Sequence, residues 1–277
     1  MPSRSVNGVR LNVEVYACPT AVPPLVLLHG FTGSTATWMT LVPALADTCT
    51  TIAIDALGHG ASDAPVDPTR YRMPCVVADT LAVLDQLGVE QFALLGYSMG
   101  GRMALHLAAA APTRIAALIL ESASPGIESA DERAARVASD EQLAQLLERK
   151  GIAAFVEYWE RLPLFASQRA LPDHVQQKQC RERLAAHPLG LAASLRGAGT
   201  GAQTPLHDRL TTLAMPTLLL VGALDAKFCA LALAMHAALP RSELKVVPAV
   251  GHAVHLEAPD LFNTHVRSFM RRHLWHP

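Results

Sequence analysis

A serine set between glycines in Gly96-Tyr97-Ser98-Met99-Gly100, an aspartate at Asp225 and a histidine at His252 are the residues of this chain best suited to a shared chemistry. A serine hydroxyl is a weak nucleophile and a weak base until an imidazole takes its proton. That imidazole in turn needs a carboxylate to fix its tautomer. The G-x-S-x-G spacing suits a sharp strand-to-helix turn, because glycines let the backbone approach closely while the hydroxyl is lifted clear of the sheet. The same pentapeptide can be an ordinary glycine turn with a bystander serine. Asp225 can cap a helix, and a lone loop histidine is commonly just exposed. The order Ser, Asp, His, with each residue in a loop after a strand-like run, favours a triad over three coincidences.

The elements that must position these residues are legible as short aliphatic runs closed by turns. Leu25 to Leu28 in "PPLVLLHGFTG", the run beginning at Thr51 in "TIAIDALGHGAS", "QFALLGYS", Ile115 to Ser122, "PTLLLVGALD" and "ELKVVP" all read as strands. Between them lie helical stretches near Pro74 to Leu87, in "GGRMALHLAAAAP", in "CALALAMHAALP" and from about Pro259 to His273. Strands aliphatic throughout, alternating with helices, predict an α/β class with a mostly parallel twisted sheet covered on both faces. The rhythm breaks between about Pro125 and Pro205, where the sequence is helical, charged and without strand signals. Residues 1–124 and 206–277 are therefore expected to form one core and 125–205 an inserted helical cap. The glycine-rich "RGAGTGAQTP" lacks the lysine and preceding strand of a phosphate loop and reads as a hinge returning the cap to the core.

Two further chemical features follow from this frame. Backbone N–H groups of Phe31, in "HGFTG" after the early strand at Leu25 to Leu28, and of Met99, at the start of the elbow helix, are candidates to stabilise a developing oxyanion. His29, His59 and His255 read as structural loop histidines. Arg102 lies four residues after Ser98, one helical turn on, and helical side chains lean toward the N-terminus, so its guanidinium can reach back toward the serine. A cation in the first turn opposes the helix macrodipole, which makes it a poor choice for stability alone. The alternatives are a surface position or a salt bridge to a core acid such as Asp55.

Composition narrows the partners. Of 277 residues, 51% are hydrophobic and 17% charged, as expected of a folded globular chain. Lys plus Arg number 23 and Asp plus Glu 24, a net charge of −1, which gives no global field for nucleic acid or an anionic membrane. Five scattered cysteines without metal-like spacing indicate free thiols. The first residues contain no apolar run of signal-peptide or membrane-span length. A cytoplasmic protein needing no metal or cofactor is the expectation, with its oligomeric state undetermined.

The elbow, Asp225 and His252 are similar to those of the α/β-hydrolase superfamily over essentially the whole chain. A narrower resemblance lies in the combination "GYSMGGRMAL", "ESASPGI", "ERAAR", "SLRGAGTGAQTPLHDRL" and "LLLVGALDAKF". Together these resemble the 2-succinyl-6-hydroxy-2,4-cyclohexadiene-1-carboxylate synthase family of menaquinone biosynthesis. That resemblance implies a lyase which removes a ring proton, with serine as the immediate base, and expels pyruvate by 2,5-elimination. It implies Ser98, Asp225 and His252 as triad, Phe31 and Met99 as oxyanion donors, and Tyr97 lining the pocket. Arg102, Arg136 and Arg183 fall on the family's substrate-binding arginines, with Arg181 an alternative to Arg183, and Trp159 on its pocket tryptophan. From the residues alone, Arg136 and Arg183 belong to a charged helical face, and Trp159 to packing between cap and core. The implied substrate is a small molecule with three carboxylates, and guanidinium forks suit carboxylates. A serine hydrolase acting on an acidic small molecule, either a carboxylesterase or a carbon–carbon bond hydrolase, shares the same triad. A binding module on a retired hydrolase scaffold is a third class.

Overall fold

A computed structural model describes residues 3–274. Its strands are β1 (Ser3–Val6), β2 (Val9–Tyr16), β3 (Leu25–Leu28), β4 (Thr51–Ile54), β5 (Phe92–Tyr97), β6 (Ile115–Glu121), β7 (Thr217–Gly222) and β8 (Ser242–Val247). The helices are α1 (Leu41–Ala44), α2 (Met73–Gln86), α3 (Met99–Ala110), α4 (Ala130–Glu160), α5 (Asp173–Leu184), α6 (Pro188–Ala198), α7 (Ala226–Ala238), α8 (Val254–Glu257) and α9 (Pro259–Leu274). The eight strands form one sheet in the order β1-β2-β4-β3-β5-β6-β7-β8. From β4 to β8 every neighbouring pair is parallel.

The fully aliphatic strands are buried on both faces, and their alternate residues enter different cores. Val26, Leu28, Leu94, Leu118 and Leu120 join the apolar cluster under α2 and α3. Leu25, Leu27, Ala93, Leu95, Ala117 and Ile119 join the opposite cluster, closed by Phe262 and Phe269 of α9. The period-two alternation of side chains thus gives each strand two apolar faces.

Sequence reasoning missed the N-terminal hairpin. β1 and β2 pair antiparallel through Asn7-Gly8, both at positive φ (46° and 82°), and β2 joins β4 antiparallel. Asn-Gly is the dipeptide that favours such a turn, because both central residues must adopt left-handed backbone.

Helices α4, α5 and α6 all fall between β6 and β7. Ser129 caps α4 by accepting from Glu132 N–H at 3.4 Å, with Asp131 and Glu132 in the first turn to complement the helix dipole. The long helix is interrupted at Gly151, with φ 76° and ψ −177°. Leu147, Phe155 and Val156 of α4 pack on Leu191 and Leu195 of α6 in an apolar cluster distinct from those of the sheet. The glycines of the segment after α6 lie close to other parts of the insertion. A Cβ added at Gly199 would lie 2.3 Å from Leu195 O, and one at Gly201 would lie 2.6 Å from Arg133 O. These glycines serve close approach. Among the described residues no helix is long and apolar enough to cross a membrane.

Candidate active site

The elbow between β5 and α3 places Ser98 at φ 51° and ψ −106°, a region costly for a non-glycine residue. Its neighbours make that turn possible. A Cβ on Gly100 would lie 2.0 Å from Leu28 O, and one on Gly96 would lie 2.2 Å from Gly100 O. Ser98 N–H donates to Glu121 O at 2.9 Å, tying the turn to the adjacent strand.

His252 arrives from the loop after β8 with Nε2 3.0 Å from Ser98 Oγ. Its Nδ1 lies 2.7 Å from Asp225 Oδ2. Asp225 has a second task, since Oδ1 accepts from Phe228 N–H at 3.2 Å and so caps α7. Capping and orienting the imidazole are thus compatible, one oxygen for each. The His252 ring is 1% exposed and packed by Phe228, Tyr97 and Phe165. A hydroxyl, an imidazole and a carboxylate in series at these distances can move a proton to and from Ser98.

Phe31 and Met99 line the same cavity as Ser98, a cleft of about 640 Å³ between the sheet's C-terminal edge and helices α4 to α6. Met99 begins α3, so its amide is one of the N–H groups without an intrahelical acceptor. His29 and His59 lie beneath as neutral structural groups. His29 Nδ1–H donates to Gly30 O at 2.7 Å while Nε2 accepts from Ala56 N–H at 3.0 Å. Burial holds the His29 imidazole below its ordinary range and pushes His59 down to about 3, helped by its proximity to His29.

Arg102 faces the cavity and is 9% exposed. Its Nη1 donates to Ala198 O at 2.8 Å and to Gln203 Oε1 at 2.7 Å. The alternative pairing with Asp55 does not occur: that carboxylate is occupied by Asn12 and by the amides of Thr35 and Ala61. Burial, then repulsion from Arg136, lowers Arg102 to about 10, against a smaller opposing pull from Asp140. Arg136 donates from Nε to Asp140 Oδ1 at 2.8 Å. Burial raises the Asp140 carboxyl despite that partner.

Arg183 also reaches the cavity, donating to Glu160 Oε1 at 3.0 Å with its guanidinium 5.2 Å from the Phe165 ring centroid. Arg181 is exposed on the same helix, so the ambiguity between them resolves in favour of Arg183 as the cavity-lining residue. Trp159 stacks on Phe155 and meets Phe31 edge-on, at centroid distances of 5.3 Å and 5.4 Å. Its buried Nε1–H has no partner among the described residues. Tyr97 packs against His252 and, at 4.6 Å, His255; burial and then Glu121 raise its phenol well above the ordinary value.

Sequence reasoning missed Gln203 and the pairing of Glu121 with His255. The first carries no local signal, and the second showed only as a histidine three residues beyond His252.

A strand-elbow-helix serine, a histidine after the last strand and an aspartate after the strand beside it define the class. The chain belongs to the α/β hydrolase fold family, whose sequence profile matches residues 23–259. It is 43% identical over 264 residues to a Bacillus subtilis (strain 168) protein provisionally named 2-succinyl-6-hydroxy-2,4-cyclohexadiene-1-carboxylate synthase, spanning 95% of this chain and 96% of that one. A synthase of the same name from Serratia proteamaculans (strain 568) is 32% identical over 249 residues, or 90% and 93% of the two chains. Within the superfamily, then, the chain belongs to the 2-succinyl-6-hydroxy-2,4-cyclohexadiene-1-carboxylate synthase family. The solved structure of MenH from S. aureus superposes with a TM-score of 0.91 at 35% identity, covering 94% of this chain and 98% of that one. A malate-bound thermophilic esterase from Thermogutta terrifontis gives 0.84 at 27% identity, covering 98% and 97%.

Proposed function

We propose that this protein is a lyase that eliminates pyruvate from 2-succinyl-5-enolpyruvyl-6-hydroxy-3-cyclohexene-1-carboxylate. The product is 2-succinyl-6-hydroxy-2,4-cyclohexadiene-1-carboxylate, a menaquinone precursor. The observation that carries this reading is Arg102: a buried guanidinium beside Ser98 that pairs with no carboxylate among the described residues. The acid whose charge acts on it, Asp140, is hydrogen-bonded to Arg136, so two guanidinium groups share one carboxylate, and a buried cation so placed is costly unless a ligand supplies a further anion. Arg136 and Arg183 add two more guanidinium groups to the cavity, which suits a substrate bearing three carboxylates. Residues 125–205 serve as the cap that brings these arginines over the core formed by 1–124 and 206–277.

In this reading His252 takes the Ser98 proton, and Ser98 Oγ takes the ring proton at the carbon bearing the succinyl group. The C–H electron pair becomes a ring double bond, the existing ring double bond shifts by one position, and the carbon–oxygen bond to the enolpyruvyl group breaks. The enolate leaves with that electron pair, is protonated and becomes pyruvate. Charge accumulating on the succinyl carbonyl oxygen during proton removal is met by the amides of Phe31 and Met99. Asp225 stabilises the imidazolium. Tyr97 and Trp159 shape the apolar walls, and no acyl-enzyme is required.

The deciding experiment supplies purified protein with freshly prepared precursor and follows pyruvate with a coupled dehydrogenase. Release far above the spontaneous rate supports the assignment. Background release, together with brisk hydrolysis of a neutral aryl ester through stoichiometric acylation of Ser98, would replace it with a hydrolase.

A further inference from the structure

His252 reaches Ser98 from three strands away. The elbow follows β5 and the histidine loop follows β8, with β6 and β7 between them. Adjacent strands rotate by roughly 20–25° relative to one another, so a distance spanning three pairings is only loosely specified by the sheet. Proton transfer tolerates little error, because Oγ and Nε2 must stay within hydrogen-bond reach.

Glu121, the last residue of β6, is 0% exposed and connects the two loops directly. Its backbone carbonyl accepts from Ser98 N–H at 2.9 Å. Its carboxylate accepts from His255 N–H at 2.9 Å, and His255 Nδ1 lies 2.9 Å from both carboxylate oxygens. His255 lies in α8, whose Glu257 accepts from the amides of Gly251 and Ala253 at 2.7 Å and 3.3 Å. Those two residues flank His252. A carboxylate wholly removed from water needs dedicated donors, and those of Glu121 belong to the turn that carries the histidine. The His255 ring also braces Tyr97, next to Ser98, and packs on Trp38.

We propose that Glu121 and His255 form a positioning pair that fixes the separation of Ser98 and His252. The pair exchanges no proton with substrate. Its loss therefore slows turnover and leaves ground-state binding, carried by the arginines, largely unchanged. The pair itself does not depend on which substrate the site takes; only the pyruvate readout rests on the proposed function.

The test compares wild type, His255→Phe and His255→Asn. Phenylalanine keeps a ring against Tyr97 and Trp38 but removes the side-chain donor to Glu121, leaving only the backbone N–H, whereas asparagine returns an N–H near the position of Nδ1 and gives up the ring. We expect His255→Phe to lower kcat for pyruvate release at least about tenfold with KM within about twofold. The same variant should slow phosphonylation of Ser98 by a neutral fluorophosphonate by a similar factor. His255→Asn should recover both rates to within about threefold of wild type. A folded His255→Phe protein with unchanged kcat and unchanged phosphonylation overturns the proposal, as does one in which only KM rises. Should His255→Phe fail to fold, Glu121→Gln carries the test: slower phosphonylation supports the pair and an unchanged rate overturns it. A wild type that phosphonylates normally yet releases no pyruvate sinks the substrate assignment, while the ratio between variants still decides the pair.

Discussion

Arg102 and Gln203 meet where α3 faces the segment after α6, with guanidinium Nη1 2.7 Å from the Gln203 side-chain oxygen. The same nitrogen donates to Ala198 O at 2.8 Å, so both hydrogen-bond acceptors are neutral. The contact also links the elbow helix to the helical insertion, because Ala198 ends α6. Arg102 thus does two things at once: it presents charge to the cavity and anchors the segment that closes over it.

Replacing Arg102 with Met should lower kcat/KM for pyruvate release by about two orders of magnitude, the range for truncating a buried charge contact to a ligand. Thermal stability should stay level or rise by about 1 kcal/mol, because an apolar side chain replaces an unpaired buried cation. Steady-state kinetics and a melting curve on the same preparation check both halves. A large loss of stability would mean that the anchor outweighs the charge.

Weakening the anchor while keeping the charge separates those contributions. Gln203→Leu leaves Arg102 in place but removes one of its two acceptors, so KM is expected to rise about five- to tenfold with kcat changed far less. Initial-rate measurements over a range of substrate concentrations read this directly.

Ser98→Ala should reduce turnover by about four orders of magnitude or more, since the general-base function proposed for Ser98 is lost with the hydroxyl. Intact-mass spectrometry of the wild-type enzyme during turnover should show no covalent adduct. A stoichiometric adduct on Ser98 would contradict its role as a base.

Stability should fall in mild acid because His59 is buried neutral. Its folded value of about 3 lies below the ordinary 6.5, so the unfolded chain binds the proton that the folded one refuses. The contribution is fully present above pH 6.5 and is lost as pH falls from there toward 3. Between pH 7 and pH 5 this amounts to about 2 kcal/mol from His59. Urea unfolding at the two pH values should show a shallower pH dependence in His59→Gln than in the wild type, whatever the absolute stability of the variant. Equal slopes would remove His59 as the source.

The elbow itself makes a steric prediction. Gly100→Ala would place a methyl group 2.0 Å from Leu28 O, where backbone on both sides prevents relief. We expect a loss of about 3 kcal/mol or more, measured as a shift in denaturant midpoint, with activity reduced further than stability accounts for.

Much of the site was legible before any fold was in hand, and the reason is locality. Ser98, Asp225 and His252 each follow an aliphatic run, and a strand ending in a turn delivers its next residues to the same edge of a parallel sheet. Arg102 was legible for a similar reason, since a helix turn fixes where residue i+4 sits relative to residue i. The Asn7-Gly8 hairpin is equally local, since the dipeptide itself favours the turn that pairs β1 with β2.

The parallel α/β core, the strand-end positions of Ser98, Asp225 and His252, and the basic residue one turn from the serine are all written in the local sequence. Each follows from repeats of two or about four residues imposed by backbone geometry. The placement of Arg183, not Arg181, in the cavity wall, the union of Arg102 with Gln203 and the tie from Glu121 to His255 come from tertiary packing. The partners in those last two contacts lie 101 and 134 residues apart, so no local periodicity links them. They exist because chain packing excludes water around buried polar groups, and such a group is stabilised by whatever partner the fold brings to it.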